Sequence, residues 1–157
     1  MKKGFTLIEL VIVVGILGII AAIVIPTFQS HTQRVKEATA KDHLRMMRTL
    51  IEIYTAKNGV SPGYPDNDTS NAPLAEKFRE QITVESAPAE EFRSSMITFP
   101  ENPFNNKAAV KIIPDLTDFP SKPEQTDTFG WIYKPATKNV RLNWPGVDSE
   151  GISYFDY

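Results

Sequence analysis

The chain has 157 residues with 17 basic and 19 acidic side chains, a near balance without a basic patch, which argues against a nucleic-acid partner. It has no cysteine, which excludes disulfides and a lipoprotein anchor. Its 12 prolines and 8 glycines punctuate the chain unevenly, and their placement sets the expected architecture.

Lys2 and Lys3 open the chain, and an apolar run follows as far as Ile25. From Phe5 to Phe28 there are 24 residues with one charge, Glu9. As a helix this span measures about 36 Å at about 1.5 Å per residue, against a bilayer core of about 30 Å. It is long enough to cross a membrane, and the two leading lysines favour a cytoplasmic N-terminus. A secretory signal places a small-x-small cleavage site just behind its apolar core. Here the core runs into Ala21, Ala22 and Pro26, and the one Ala-x-Ala, Ala38 to Ala40, lies beyond Arg34, Lys36 and Glu37. Glu9 is the anomaly. A carboxylate at membrane depth costs roughly 2.5–3.5 kcal/mol and marks a functional position by default; the plain alternative is a side chain reaching the headgroups at the cytoplasmic interface.

No glycine falls between Gly18 and Gly59, and no proline between Pro26 and Pro62. The spacing predicts one helix from about Thr6 to Lys57, stopped by Asn58 and Gly59. Residues 5–28 form its membrane or assembly half, where Pro26 should kink it. Residues 29–58 continue it as an amphipathic helix: Ala40, Leu44, Met47, Ile51 and Tyr54 recur at steps of four and three, with Met46, Leu50 and Ile53 widening the stripe. Residues 59–157 form the globular, turn-rich part. Pro73 to Gln81 should be a short helix with proline at its first position and Leu74, Phe78 and Ile82 buried. Residues 83–128 read as an irregular extended excursion with a turn at Asn102–Asn106 and a short strand at Val110–Ile113. Gly130–Tyr133 and Val140–Asn143 read as a β-hairpin across Pro135–Asn139, and Ile152–Tyr157 as a last strand. The expected fold class is α+β: a long N-terminal helix packed on a small antiparallel sheet, with Trp131, Tyr133, Leu142 and Phe155 as core candidates.

No catalytic constellation is present. His31 and His43 lie about 18 Å apart along one helix, and there is no phosphate loop, cysteine-based zinc pattern or nucleophile elbow. The expectation is a protein that is not an enzyme.

The N-terminus, Lys2-Lys3-Gly4-Phe5-Thr6-Leu7-Ile8-Glu9 followed by the apolar run and Pro26, resembles the class III leader of type IV pilins and type II secretion pseudopilins. The resemblance implies a pilin-like fold and a cleaved leader, residues 1–4. A prepilin peptidase would cut between Gly4 and Phe5 and N-methylate Phe5. Glu9 would pair with the Phe5 amine of a neighbouring subunit during assembly. That step is physically sound: an α-amine has a pKa of about 8, and opposite charges that meet only between staggered subunits act as a register device. The stretch from Gly18 to Pro26 is where such helices loosen in a filament.

The same resemblance implies a homo-oligomeric helical filament, single-pass in the bacterial inner membrane, with its C-terminal domain periplasmic. The implied partners are the membrane, the prepilin peptidase, an assembly platform protein, an assembly ATPase and minor pseudopilins. The missing cysteines depart from the disulfide-closed tail common in type IVa pilins, so the expectation leans to the major pseudopilin of type II secretion. A type IV pilus subunit for adhesion, motility or DNA uptake is the nearest alternative. A signal-anchored periplasmic binding domain is the alternative from another class, and it predicts an intact N-terminus.

The glycine-bounded run Gly146 to Gly151 offers oxygen ligands that suit calcium. It is similar in place and character to the calcium loop of major pseudopilins, which implies Asp148 as a ligand and Asp156 as the nearest later carboxylate, at a spacing unlike the family's. An ordinary Asp/Ser/Gly turn explains the same residues, and both readings stand at this point.

Overall fold

The computed structural model describes residues 5–85 and 98–157, leaving aside the side chains of residues 26–29, 84 and 85. Gly4, the Pro26 side chain and residues 86–97 of the expected excursion lie outside that description. The chain divides into two units, Met1–Lys36 and Glu37–Tyr157. Helix α1, Leu7–Asn58, contributes to both.

In the first unit α1 is apolar on every side from Leu10 to Ile25. Its described large hydrophobic residues, from Phe5 and Leu7 to Val24 and Ile25, are each about half exposed or more. A helix hydrophobic all round is one that a membrane or a packed assembly covers. The stretch is long and apolar enough to cross a membrane.

In the second unit α1 changes character. Ala40, Leu44, Met47, Leu50, Ile51 and Tyr54 are all buried, the stripe that the period of three and four predicts. Each fully buried large aliphatic or aromatic side chain contributes about 1.5–3 kcal/mol. The helix ends where expected: the Gly59 amide donates to Thr55 O at 2.8 Å, with Gly59 at a φ of 74° that favours glycine.

Helix α2 is Ala75–Glu80, followed by one π-helical turn, Gln81–Glu85. Leu74 is its N-cap, so Pro73 stands one residue ahead of the cap and not at the first helical position. The Leu74 amide is taken by Gly63 O at 2.8 Å, and the Leu74 side chain is about half exposed. Phe78 and Ile82 are buried as expected, and Leu74 is not. Gln81, also buried, accepts from the Gly63 amide at 2.6 Å and donates to Tyr64 O at 3.0 Å, closing the loop after α1 onto α2.

The sheet has three strands in the order β1-β2-β3: Val110–Ile112, Trp131–Lys134 and Asn139–Leu142. β2 and β3 form the expected antiparallel hairpin, Trp131 opposite Leu142 and Lys134 opposite Asn139. Lys138 turns the corner with a φ of 54°. β1 pairs with β2 in parallel, Val110 opposite Trp131, so the sheet is mixed and not wholly antiparallel. The connection explains it: the chain between β1 and β2 is long enough to return to the same end of the sheet, which a parallel neighbour requires. Ile152–Tyr157 is not a strand. It holds a single bridge, Val147 with Ser153, and a 3-10 turn, Tyr154–Asp156.

Both faces of the sheet are covered. Trp131, Tyr133, Val140 and Leu142 pack with the α1 stripe, Phe78 and Tyr154. Ile132 packs on the opposite face with Ile113, Phe155 and the half-buried Phe119. Phe155 is therefore a core residue, but not against the helix. Two fully buried amides bind the backbone together. Asn102 Nδ2 donates to Gly130 O at 3.0 Å, and Asn143 Nδ2 donates to Glu124 O and Phe129 O at 2.7 and 2.8 Å. At Gly130 any side chain is excluded, because a Cβ there would lie 2.0 Å from Lys107 O.

Candidate assembly and processing site

Thr6 and Glu9 build the start of α1 between them. The Thr6 amide and hydroxyl both donate to Glu9 Oε2, at 2.9 and 2.7 Å, and the Glu9 amide donates back to Thr6 Oγ1 at 3.3 Å. With α1 beginning at Leu7, Thr6 is the N-cap and Glu9 the third helical residue. This is a capping box, which satisfies helix amides that have no partner within the helix. The signal for it is local and stands in the sequence as Thr-x-x-Glu ahead of an apolar run. Within one chain, then, Glu9 is not a bare carboxylate: it holds the helix terminus and sits where the helix dipole favours a negative charge. Phe5, one residue before Thr6, is 76 % exposed.

These contacts leave Glu9 two chemical options. It can remain with Thr6, or it can exchange part of that bonding for a cationic donor supplied from elsewhere. A carboxylate has roughly four acceptor sites, so the two options are not mutually exclusive.

The C-terminal acids are arranged quite differently. Asp148 is buried. Its Oδ1 accepts the amides of Glu150 and Ile152, both at 2.9 Å. Its Oδ2 accepts the Tyr157 hydroxyl at 2.8 Å and the Lys41 ammonium at 3.2 Å. Burial pushes the Asp148 carboxyl up, but the Ile152 amide, the Tyr157 hydroxyl, the Glu150 amide and Lys41 together hold it well below the usual carboxylate range. In return, burial and the bond to Asp148 push the Tyr157 hydroxyl up. Asp156, exposed, pairs with Arg141 at 3.1 Å. Among the described residues no group of three or more His, Cys, Asp or Glu is placed to hold a metal. Glu37, also buried, accepts the Tyr154 hydroxyl at 2.9 Å and the Ser149 hydroxyl at 3.3 Å. Neither Glu37 nor Lys41 was singled out by the sequence. His43 is half-buried: its Nδ1 lies 3.1 Å from Glu101 O, and its ring meets Trp131 edge-on at 6.3 Å.

Comparison with known proteins bears on the N-terminal residues first. Residues 1–25 match the family described as the prokaryotic N-terminal methylation motif. The chain is 46% identical over 66 residues to a fimbrial protein of Pseudomonas aeruginosa, covering 41% of this chain and 43% of that one. It is 32% identical over 90 residues to the type IV major pilin protein PilE of Neisseria gonorrhoeae, covering 55% and 53%. It is 50% identical over 52 residues to the type IV major fimbrial protein FimA of Dichelobacter nodosus, covering 33% of each. The chain thus spans about a third to a half of the length of these curated relatives. No solved structure matches it. These relatives are named as type IV pilins and fimbrial proteins, not as secretion pseudopilins. With its capped apolar helix and its methylation motif, the chain is type IV pilin-like.

Proposed function

We propose that this chain is a structural subunit of a type IV pilus-type filament. The observation that carries the reading is the run from Phe5 to Ile25, an exposed apolar helix surface whose lone acid lies four residues after Phe5 inside a methylation motif. An apolar surface of this extent needs a cover. Lipid covers it before assembly, and the helices of other subunits cover it afterwards.

The sequence of events follows from the chemistry. The chain inserts with Lys2 and Lys3 on the cytoplasmic side of the inner membrane and its C-terminal part outside. A prepilin peptidase removes residues 1–4, which creates a charged amine on Phe5, and methylation keeps that charge. Glu9 of an incoming subunit then meets the Phe5 amine of a neighbour. The pairing offsets the cost of an acid at membrane depth only when the two helices are correctly staggered. An assembly ATPase and a platform protein supply the work and the guide.

The names of the relatives favour a pilus. The cysteine-free tail favours the second reading, the major subunit of a type II secretion pseudopilus. Deleting the gene separates them: loss of surface fibres marks the pilus, and an export defect without such fibres marks the pseudopilus.

Mass spectrometry of the chain purified from its own cells tests the shared part of both readings. The expected product lacks Met1 to Gly4 and carries one methyl group on Phe5. An intact N-terminus would instead indicate a signal-anchored domain. Glu9→Ala should leave cleavage and membrane insertion unchanged and stop filament growth, and normal filaments in that variant would refute the pairing step.

A further inference from the structure

A loop that binds calcium turns oxygen atoms toward a shared centre. The segment from Gly146 to Tyr157 does the reverse. Four donors converge on Asp148: the amides of Glu150 and Ile152, the Tyr157 hydroxyl and the Lys41 ammonium. Each brings a hydrogen, and so positive charge, to the space an added cation would have to enter. Three carbonyls of the loop already accept amides. Gly146 O accepts the Tyr154 amide at 3.1 Å, Asp148 O the Gly151 amide at 3.1 Å and Ile152 O the Asp148 amide at 2.8 Å. Asp156 faces Arg141, and Glu37 is occupied by two hydroxyls. The donor set therefore fits a bound carboxylate and does not fit a calcium ion.

Lys41 stands where the charge balance needs a cation. Its ammonium is 3.2 Å from Asp148 Oδ2 and 4.4 Å from the centroid of the Tyr157 ring. The ring face attracts the same charge that the carboxylate does. Lys41 belongs to α1, more than a hundred residues earlier in the chain, so its contact is a long-range closure and not a local turn.

We infer that the Lys41 ammonium is the built-in cation that closes the Gly146–Tyr157 segment onto α1, in place of a divalent metal or a disulfide. The surface of that segment, including the exposed Val147 and Ile152, is then presented alike with or without calcium outside the cell.

The test uses the full chain in detergent micelles and needs no filament, so its outcome is independent of the function proposed above. Thermal melts are compared in EDTA and in millimolar calcium. The readout is the near-ultraviolet circular dichroism of the rings on and beside the segment, where Phe104 meets Tyr154 at 4.7 Å and stacks on Trp144 at 5.8 Å. Midpoints that agree within about 1 °C support the inference, whereas a resident calcium at a hundred times its Kd raises the midpoint by roughly 5 °C or more, and such a rise overturns it. Lys41→Met and Asp148→Asn each lower the midpoint, and the double variant loses less than the sum of the two. Strictly additive losses would show that the two residues do not act together. The calcium comparison on the unaltered chain tests the absence of a metal even where a variant does not fold. Lys41→Arg, which keeps the charge, should hold the midpoint above that of Lys41→Met, and equal midpoints would overturn the role of Lys41.

Discussion

At Asp148 and Tyr157 one hydrogen bond couples two titrations. Asp148 has its folded-state pKa held below the ordinary carboxylate value, so its contribution to stability is complete above about pH 4 and fades as the pH falls toward the folded-state value. Burial and neighbouring charges push the hydroxyls of Tyr64, Tyr133 and Tyr157 up. For a raised tyrosine the sign is opposite: its contribution is complete below about pH 10 and fades as the pH rises beyond that. The melting midpoint should therefore hold a plateau between these limits and fall on both sides. Tyr157→Phe removes one donor from Asp148, so its acid limb should begin at the same pH but fall by less and level off at higher pH than in the unaltered chain. Melting curves measured across pH for the two chains check this, and coincident acid limbs would show that the hydroxyl does not stabilise the carboxylate. Little of this was legible in the sequence. Gly146 to Gly151 is rich in oxygen, but composition does not say whether amides or carbonyls face inward. Here the amides do, and the counter-charge comes from a lysine more than a hundred positions away. Thr6 and Glu9 are the contrary case, since a local spacing carried the whole geometry.

Helix α1 shows why elements are easier to read than their pairings. Its inner stripe follows from the period of an α-helix and a run without glycine or proline, both local facts. Met47 is fully buried in that stripe, while Arg45, two residues earlier, points into solvent with an exposed i,i+3 partner in Asp42. Met47→Ala should cost about 2–5 kcal/mol, a lost side chain plus the cavity it leaves, and Arg45→Ala should stay within about 0.5 kcal/mol. Urea denaturation of the two variants checks the contrast, and equal losses would mean that this face of the helix does not form the core. The hairpin β2–β3 was legible for the same local reason. The parallel pairing of β1 was not, because Val110 to Ile112 meets Trp131 to Tyr133 only through a long connection that carries no pattern of its own. Ile152 to Tyr157 looked like a strand by residue type, yet the Ser153 hydroxyl accepts the Phe155 amide at 3.3 Å and helps to curl the chain into a turn.

The two units of the chain differ in what they need for stability, and this yields a test. Among the described residues every buried side chain belongs to Glu37–Tyr157, including the helix stripe, both sheet faces and the contacts of Asp148. Residues 5–25 add nothing to that core; they expose apolar surface that water penalises at about 25 cal/mol per Å². A truncated chain beginning at Ser30 should therefore remain soluble and monomeric without detergent and melt cooperatively. Its midpoint should lie close to that of the full chain in micelles, and it should never form filaments. A truncation beginning at Leu44 discards Glu37, Ala40 and Lys41. It loses an apolar contact of the core, the carboxylate that accepts Tyr154 and the cation on Asp148, so it should melt much lower or not fold. Sedimentation and thermal melts of both truncations measure this. A chain from Ser30 that is unfolded would mean that the apolar half stabilises the rest. A chain from Leu44 that is fully stable would mean that the contacts of Glu37 and Lys41 are dispensable. The expected result leaves the apolar half free for another task, and lipid or a copy of the same helix is the environment whose chemistry matches it.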